Sequence, residues 1–200
     1  MTGITHMLVG GELAWAVVSI GEKISGLPVP VEIKALIALA GGIAALVPDV
    51  DTLTTFGHAN SKLGYASAIF LPGFLITLIG LLFSGKKGRR HRGYTHSLLA
   101  WGLFSIATIF QFVLIYHYYY PYYPHLYIYL VIASILGYLS HLVIDCLNPT
   151  GLPLLFPFSD KKYKIFKNFS IKTGSLGELL FALPFLIIFF ALGGNVLQNL

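Results

Sequence analysis

Four stretches of this sequence, Tyr65–Phe83, Leu98–Tyr116, Leu126–Leu147 and Leu176–Leu197, are nearly free of charge and about as long as a bilayer is thick. A helix that spans a membrane needs roughly 17–25 predominantly apolar residues. A water-soluble globule of 200 residues cannot hide four such runs, because it must still cover its surface with polar groups. Only 10% of the residues are charged, against roughly 25% in soluble domains, so lipid must contact much of the surface. Two weaker segments lie upstream: Ile4–Ile20, which carries Glu12, and Ala35–Val47, about two-thirds of a span in length. No segment alternates with period two, which argues against a β-barrel. The expected fold is all-α, a polytopic membrane bundle of five to six membrane-associated helices in a single domain over residues 1–200. Pro72-Gly73 is able to break Tyr65–Phe83 into a re-entrant hairpin.

The formal charge of +5 invites a nucleic-acid reading, but its distribution argues against one. Basic residues gather beside apolar segments as Lys86, Lys87, Arg89, Arg90, Arg92 and as Lys161, Lys162, Lys164, Lys167. That is the footprint of the positive-inside rule. The loops Ser84–Thr95 and Ser159–Lys172 are therefore expected at the cytoplasmic face of the cell (inner) membrane. The tyrosine-rich stretch His117–His125, without Lys or Arg, is expected outside as an interfacial aromatic belt. Cys146 is the single cysteine, which excludes an internal disulfide and a zinc ribbon. The first residues lack a basic n-region and a cleavage site, so they are expected to be retained rather than removed as a signal peptide.

In so apolar a chain each ionisable residue near a span is costly and marks a candidate site. His141-Leu-Val-Ile-Asp145 closes the third long run, and its i, i+4 spacing puts both side chains on one helical face. An imidazole and a carboxylate so placed suit a shared ion, although a His–Asp hydrogen bond that locks helix packing explains the pair alone equally well. His91-Arg-Gly-Tyr-Thr-His96-Ser97 ends the basic loop where the next span begins. Thr95 resembles a helix N-cap, which puts His96 in the first turn; simple solvation is the alternative for both histidines. Pro48-Asp49-Val-Asp51 sets two carboxylates at the end of a short apolar helix, where the helix dipole disfavours them. His6 stands near the start of the first helix. Glu178 opens the last one, and Ser175 with Glu178 fits a capping box.

Position links these groups. His6, His96 and Glu178 begin helices and Asp49, His141 and Asp145 end them, so antiparallel packing carries all of them to one end of the bundle. Structural accidents scatter over both ends.

The ordered set His91-Arg-Gly-Tyr-Thr-His96-Ser97, Gly137-Tyr-Leu-Ser-His141-Leu-Val-Ile-Asp145-Cys-Leu-Asn148-Pro149-Thr-Gly151 and Leu155-Phe-Pro157-Phe158 resembles the YdjM-like family of bacterial and archaeal inner-membrane proteins, regarded as metal-dependent hydrolases. The resemblance runs from Thr5-His6 through Pro48-Asp49-Val-Asp51 to Thr173-Gly-Ser-Leu-Gly-Glu178, nearly the whole chain. The order His, Asp, His, His-x3-Asp, Glu is also similar to the helical zinc-dependent phospholipase C and P1-nuclease group, which binds a zinc cluster. That group carries a His four residues before its Glu, whereas Gly174 precedes Glu178 here, so two metals are expected rather than three.

The resemblance and the ligand chemistry together imply a metal-dependent hydrolase. Imidazole and carboxylate without thiolate suit Zn²⁺, with Mn²⁺ or Fe²⁺ as alternatives, and two such ions clamp a phosphoryl group. The expected ligands are His6, Asp49, His91, His96, His141, Asp145 and Glu178. Asp51 is the expected base, and Arg92, Lys87 and Arg90 are expected to hold an anionic substrate, with Asn148 shaping the site floor. A site at headgroup level implies a membrane lipid or lipid-linked phosphate as substrate, with no nucleic acid; nothing in the pattern specifies an oligomeric state. The rival class is a non-enzymatic membrane protein, either a metal-ion transporter, which Pro72-Gly73 would suit as a broken helix, or a metal-stabilised scaffold.

Overall fold

A computed structural model describes residues 1–54, 71–88, 92–119, 124–166 and 170–198. Among these, regular structure is helical: α1 (Gly3–Ser25), α2 (Val31–Ala44), α3 (Leu71–Phe83), α4 (Leu98–Tyr119), α5 (Pro124–Asp145) and α6 (Leu176–Gln198). Two 3-10 turns, Val47–Thr54 and Tyr94–His96, and a single α-turn at Gly85–Gly88 lie between them. The all-α membrane bundle read from the sequence is the observed fold.

Helix α1 is longer than its apolar run suggests. Thr2 caps its start, and Gly26, at φ 69°, ends it with an N–H to the Glu22 carbonyl. Its 23 residues are enough to cross a membrane despite Glu12. Leu98–Tyr118 and Leu126–Asp145 are also long and apolar enough, while Leu71–Phe83 and Leu176–Leu192 are shorter apolar helices. Of the expected span Tyr65–Phe83, residues 65–70 lie outside the described residues. Pro72 and Gly73 stand at the edge of the described part of α3, and the residues before Leu71, on which a break at this pair turns, lie outside the described ones. Gly73 is needed for packing: a Cβ there would meet the Phe104 ring at 2.6 Å.

The centre of the bundle is the triplet α1, α2 and α5, packed through small residues. Gly10, Ala14, Gly41 and Gly137 let three backbones approach closely, the usual solution where lipid tails compete with apolar side chains for contact. A Cβ on Gly137 would lie 2.2 Å from the Gly41 carbonyl oxygen. Helix α4 packs on α5 through Phe104 and Tyr138, whose ring centroids are 5.0 Å apart, and α3 packs outside α4. Helix α6 leans on α1 and leaves Leu179, Leu180, Ile187 and Phe190 exposed. Together with Ile106, Phe110 and Val113 of α4, these residues form the kind of surface that lipid, not water, must cover.

Gly137→Val is expected to destabilise the protein by about 3 kcal/mol, since a backbone atom rather than a flexible side chain blocks the new methyls. Thermal unfolding in detergent, compared with Gly102→Val, where a Cβ meets open space, is the check.

Candidate metal centre

Helices α1, α2, α4 and α5, or the turns beside them, deliver polar groups to one end of the triplet. His6 comes from the start of α1, Asp49 from the 3-10 turn after α2, His96 from the 3-10 turn before α4, and His141 and Asp145 from the last two turns of α5. All five side chains are buried. They form two potential metal-holding groups, His6/Asp49/His141 and His96/His141/Asp145.

Hydrogen bonds at the outer nitrogens orient the rings. His141 Nδ1 lies 2.7 Å from the Ala45 carbonyl oxygen. A carbonyl only accepts, so Nδ1 carries the proton and Nε2 presents a lone pair to the interior. His96 Nδ1 is 3.0 Å from the Thr95 hydroxyl, and the Tyr138 hydroxyl donates to the Thr95 carbonyl at 2.5 Å. Such outer partners commonly fix metal-ligating imidazoles. The two Nε2 atoms are 3.1 Å apart, a distance that demands either one shared proton or one shared cation. The His6 ring stacks on His141 at 3.7 Å, and neither of its buried ring nitrogens has a hydrogen-bond partner. Its Nε2 is 3.2 Å from Asp145 Oδ1 but out of line for a hydrogen bond.

Spacing tests whether an ion fits. Ligand atoms about 2.0–2.1 Å from a tetrahedral zinc lie roughly 3.3–3.4 Å from one another. His96 and His141 Nε2 stand 3.8 and 3.7 Å from Asp49 Oδ1, and 3.8 and 4.0 Å from Asp145 Oδ2. With the 3.1 Å nitrogen pair, these separations straddle the tetrahedral value. The donor set fits a borderline divalent ion, and the orphaned His6 nitrogens fit the same reading. The two groups share His141, and a single lone pair on Nε2 serves one ion.

Asp145 is the most connected group. Its Oδ1 accepts from the Met1 amino nitrogen at 2.6 Å and from Asn148 Nδ2 at 2.6 Å. Its Oδ2 lies 2.9 Å from Arg92 Nε, and Arg92 Nη1 donates to the Thr150 hydroxyl at 2.8 Å. Arg92 holds this position from a left-handed backbone, φ 63°, a conformation that side-chain-bearing residues adopt at a cost. Arg92 and Asn148, expected to meet substrate, are thus seated on Asp145.

Other expected residues fall elsewhere. Glu178 stands outside both groups: Oε1 accepts from the Thr2 N–H and from the Thr5 hydroxyl at 2.9 Å, and Oε2 from the Gly174 N–H at 2.7 Å. It clasps the start of α1 to the start of α6. The capping box is shifted accordingly: Ser175 Oγ accepts from the Glu178 N–H, while the Glu178 carboxylate reaches Gly174. Thr95 is not the cap of α4; Ser97 is, accepting from the Ala100 N–H at 3.2 Å, so His96 precedes the helix. Asp51 is two residues beyond Asp49 in the same 3-10 turn, and Lys87 is in the turn Gly85–Gly88. Arg90 and His91 lie outside the described residues. Sequence reasoning missed Tyr138 and the Ala45 carbonyl, whose roles depend on tertiary reach that no local pattern encodes.

A helical bundle with long apolar spans and a buried His/Asp cluster at one end is an integral membrane protein with a candidate metal centre. The chain belongs to the YdjM inner membrane protein family, whose model matches residues 1–199. It is similar to the inner membrane protein YdjM of Escherichia coli K12, 39% identical over 67 residues, and equally to that of Shigella flexneri. The match covers 34% of this chain and only 30% of each relative. No solved structure matches the chain.

Tyr138→Phe removes the hydroxyl that fixes the Thr95–His96 turn. It is expected to weaken metal binding about tenfold while costing roughly 1 kcal/mol of stability, read by competition with a chromogenic chelator. The Cys146 thiol is pushed up to about 11, first by burial and then by the neighbouring Asp145. At neutral pH it is expected to resist maleimide in the folded protein and to react once the protein is denatured.

Proposed function

We propose that this chain is a membrane-embedded, metal-dependent hydrolase that cleaves a phosphoester of a lipid or lipid-linked substrate at the cytoplasmic membrane face. The observation that carries the reading is the buried pair of imidazole nitrogens, 3.1 Å apart, with carboxylate oxygens of Asp49 and Asp145 within 4.0 Å of them. Placement at helix ends also favours hydrolysis over transport, which calls for ligands near the midplane on broken helices.

His96, His141, Asp49 and Asp145 would hold one divalent ion, Zn²⁺ by preference, and His6 with Asp49 would hold a second. A bound ion supplies Lewis acidity and lowers the pKa of water to about 7. The remaining chemistry belongs to the chain. Asn148 and Arg92 orient Asp145, and the Ala45 carbonyl and the Thr95 hydroxyl orient the two imidazoles. Arg92 offsets charge on a phosphoryl group at the rim, with Lys87 and Arg90 drawing the anionic headgroup towards it. Asp51 takes the proton of the attacking water. The cytoplasmic side is supported by the Lys/Arg content of both loops at this end.

Elemental analysis of the detergent-purified protein is expected to find about two equivalents of zinc, manganese or iron, lost in His96→Ala/His141→Ala. Hydrolysis of lipid phosphates is expected to stop on chelation and return with metal, and Arg92→Lys to lower it at least about tenfold. Metal absent from the wild-type protein, even after add-back, would sink the reading. Bound metal without turnover of any phosphoester would leave a metal-stabilised scaffold.

A further inference from the structure

A sizeable cavity lies away from the candidate metal centre. A groove of about 490 Å³ runs between α1, α2 and α6, lined by Ile4, Trp15, Leu39, Phe189 and Leu192 among other apolar residues. It falls within the size range of small-molecule sites, roughly 300–1,000 Å³. It extends along α1 from Ile4 to Trp15, about 16 Å at 1.5 Å per residue. At about 100° per residue, Ile4, Leu8, Gly11 and Trp15 share one face of α1, and His6 lies on the opposite one. The helix itself therefore separates groove and metal centre. Ile4, Leu39 and Phe189 on its walls are half to two-thirds exposed (66%, 48% and 51%), so the groove opens sideways onto the lipid-facing surface.

Among the described residues one ionisable side chain lines this groove, Glu12. Its carboxyl lies against the Phe189 backbone, and its Oε1 is buried without a hydrogen-bond partner. No cation lines the groove among the described residues. An acid at this depth in a spanning helix is expensive unless something answers it. A base on a bound molecule does so: an ammonium paired with the carboxylate leaves the groove neutral. An alcohol offers a single weaker hydrogen bond, and a second carboxylate is repelled.

We infer that this groove is a second, lipid-facing binding site that takes a long-chain amphiphile carrying a primary amine, with the amine on Glu12 and the chain against Trp15, Leu39 and Phe189. The site stands independently of any hydrolytic activity.

The test uses the full chain in phosphatidylcholine nanodiscs with three photoreactive probes of equal chain length: a terminal-diazirine alkyl amine, the alcohol and the carboxylate. Peptide mapping is expected to place amine labelling around Trp15, Leu39 and Leu192, about tenfold above the other two, as a charge-assisted hydrogen bond warrants. Glu12→Gln is expected to erase that preference with metal content unchanged. Leu39→Trp, which fills the groove from α2 and leaves Glu12 in place, is expected to abolish labelling by all three. Equal labelling by the three probes, or a preference that survives Glu12→Gln, would overturn the inference. So would labelling confined to residues that do not line the groove.

Discussion

A carboxylate buried at the end of a membrane helix must be compensated, and Asp145 is where this structure meets that requirement. Desolvating an ion costs several kcal/mol even after relaxation, and apolar packing recovers none of it. Compensation comes from four directions: the Met1 amino group, His6, Arg92 and Asn148. These partners belong to the start of α1, the approach to α4 and the turn after α5. Segments far apart in the chain are therefore held at one point, and the geometry of the cluster follows from how each reaches Asp145. Arg92 pays for its reach with a left-handed backbone, which only a strong partner sustains.

The helices reach that point because the triplet packs without bulk. With glycine or alanine at positions 10, 14, 41 and 137, the axes of α1, α2 and α5 approach closely enough for His6 to stack on His141. Larger residues would hold the rings apart. Core packing and site geometry are thus one constraint, set by small side chains one or two turns away from the imidazoles. The same economy of contact leaves the outer faces of α4 and α6 to lipid.

Much of this was legible in the sequence, for a simple reason: in a chain with so few charges, both apolar length and the position of each ionisable group carry information. The levels of His6, Asp49, His96, His141 and Asp145 followed from which ends of which helices they occupy. Local chemistry was less readable where one residue type serves two purposes. Thr95 and Ser97 are both hydroxyl residues able to cap α4, and only the backbone path shows that Ser97 does so. Glu178 suits a ligand and a capping box equally, and it is found as a clasp on Thr2, Thr5 and Gly174. Arg92 read as a substrate-holding cation because nothing in a loop sequence announces a turn that aims it at Asp145. Glu12 made α1 look marginal, yet helix length outweighs one carboxyl.

The clasp has a consequence for how the protein is made. The Thr5–Glu178 hydrogen bond joins residues 173 positions apart, and His6 waits a comparable distance for Asp145. Translation delivers α1 to the membrane long before α5 and α6 leave the ribosome. Until then His6 has neither its stacking partner nor its carboxylate, and Thr2 and Thr5 lack the acceptor that ties them down. Assembly of the cluster therefore waits for α5 and its closure by the clasp for α6, and the nascent bundle passes most of its synthesis with its future centre open.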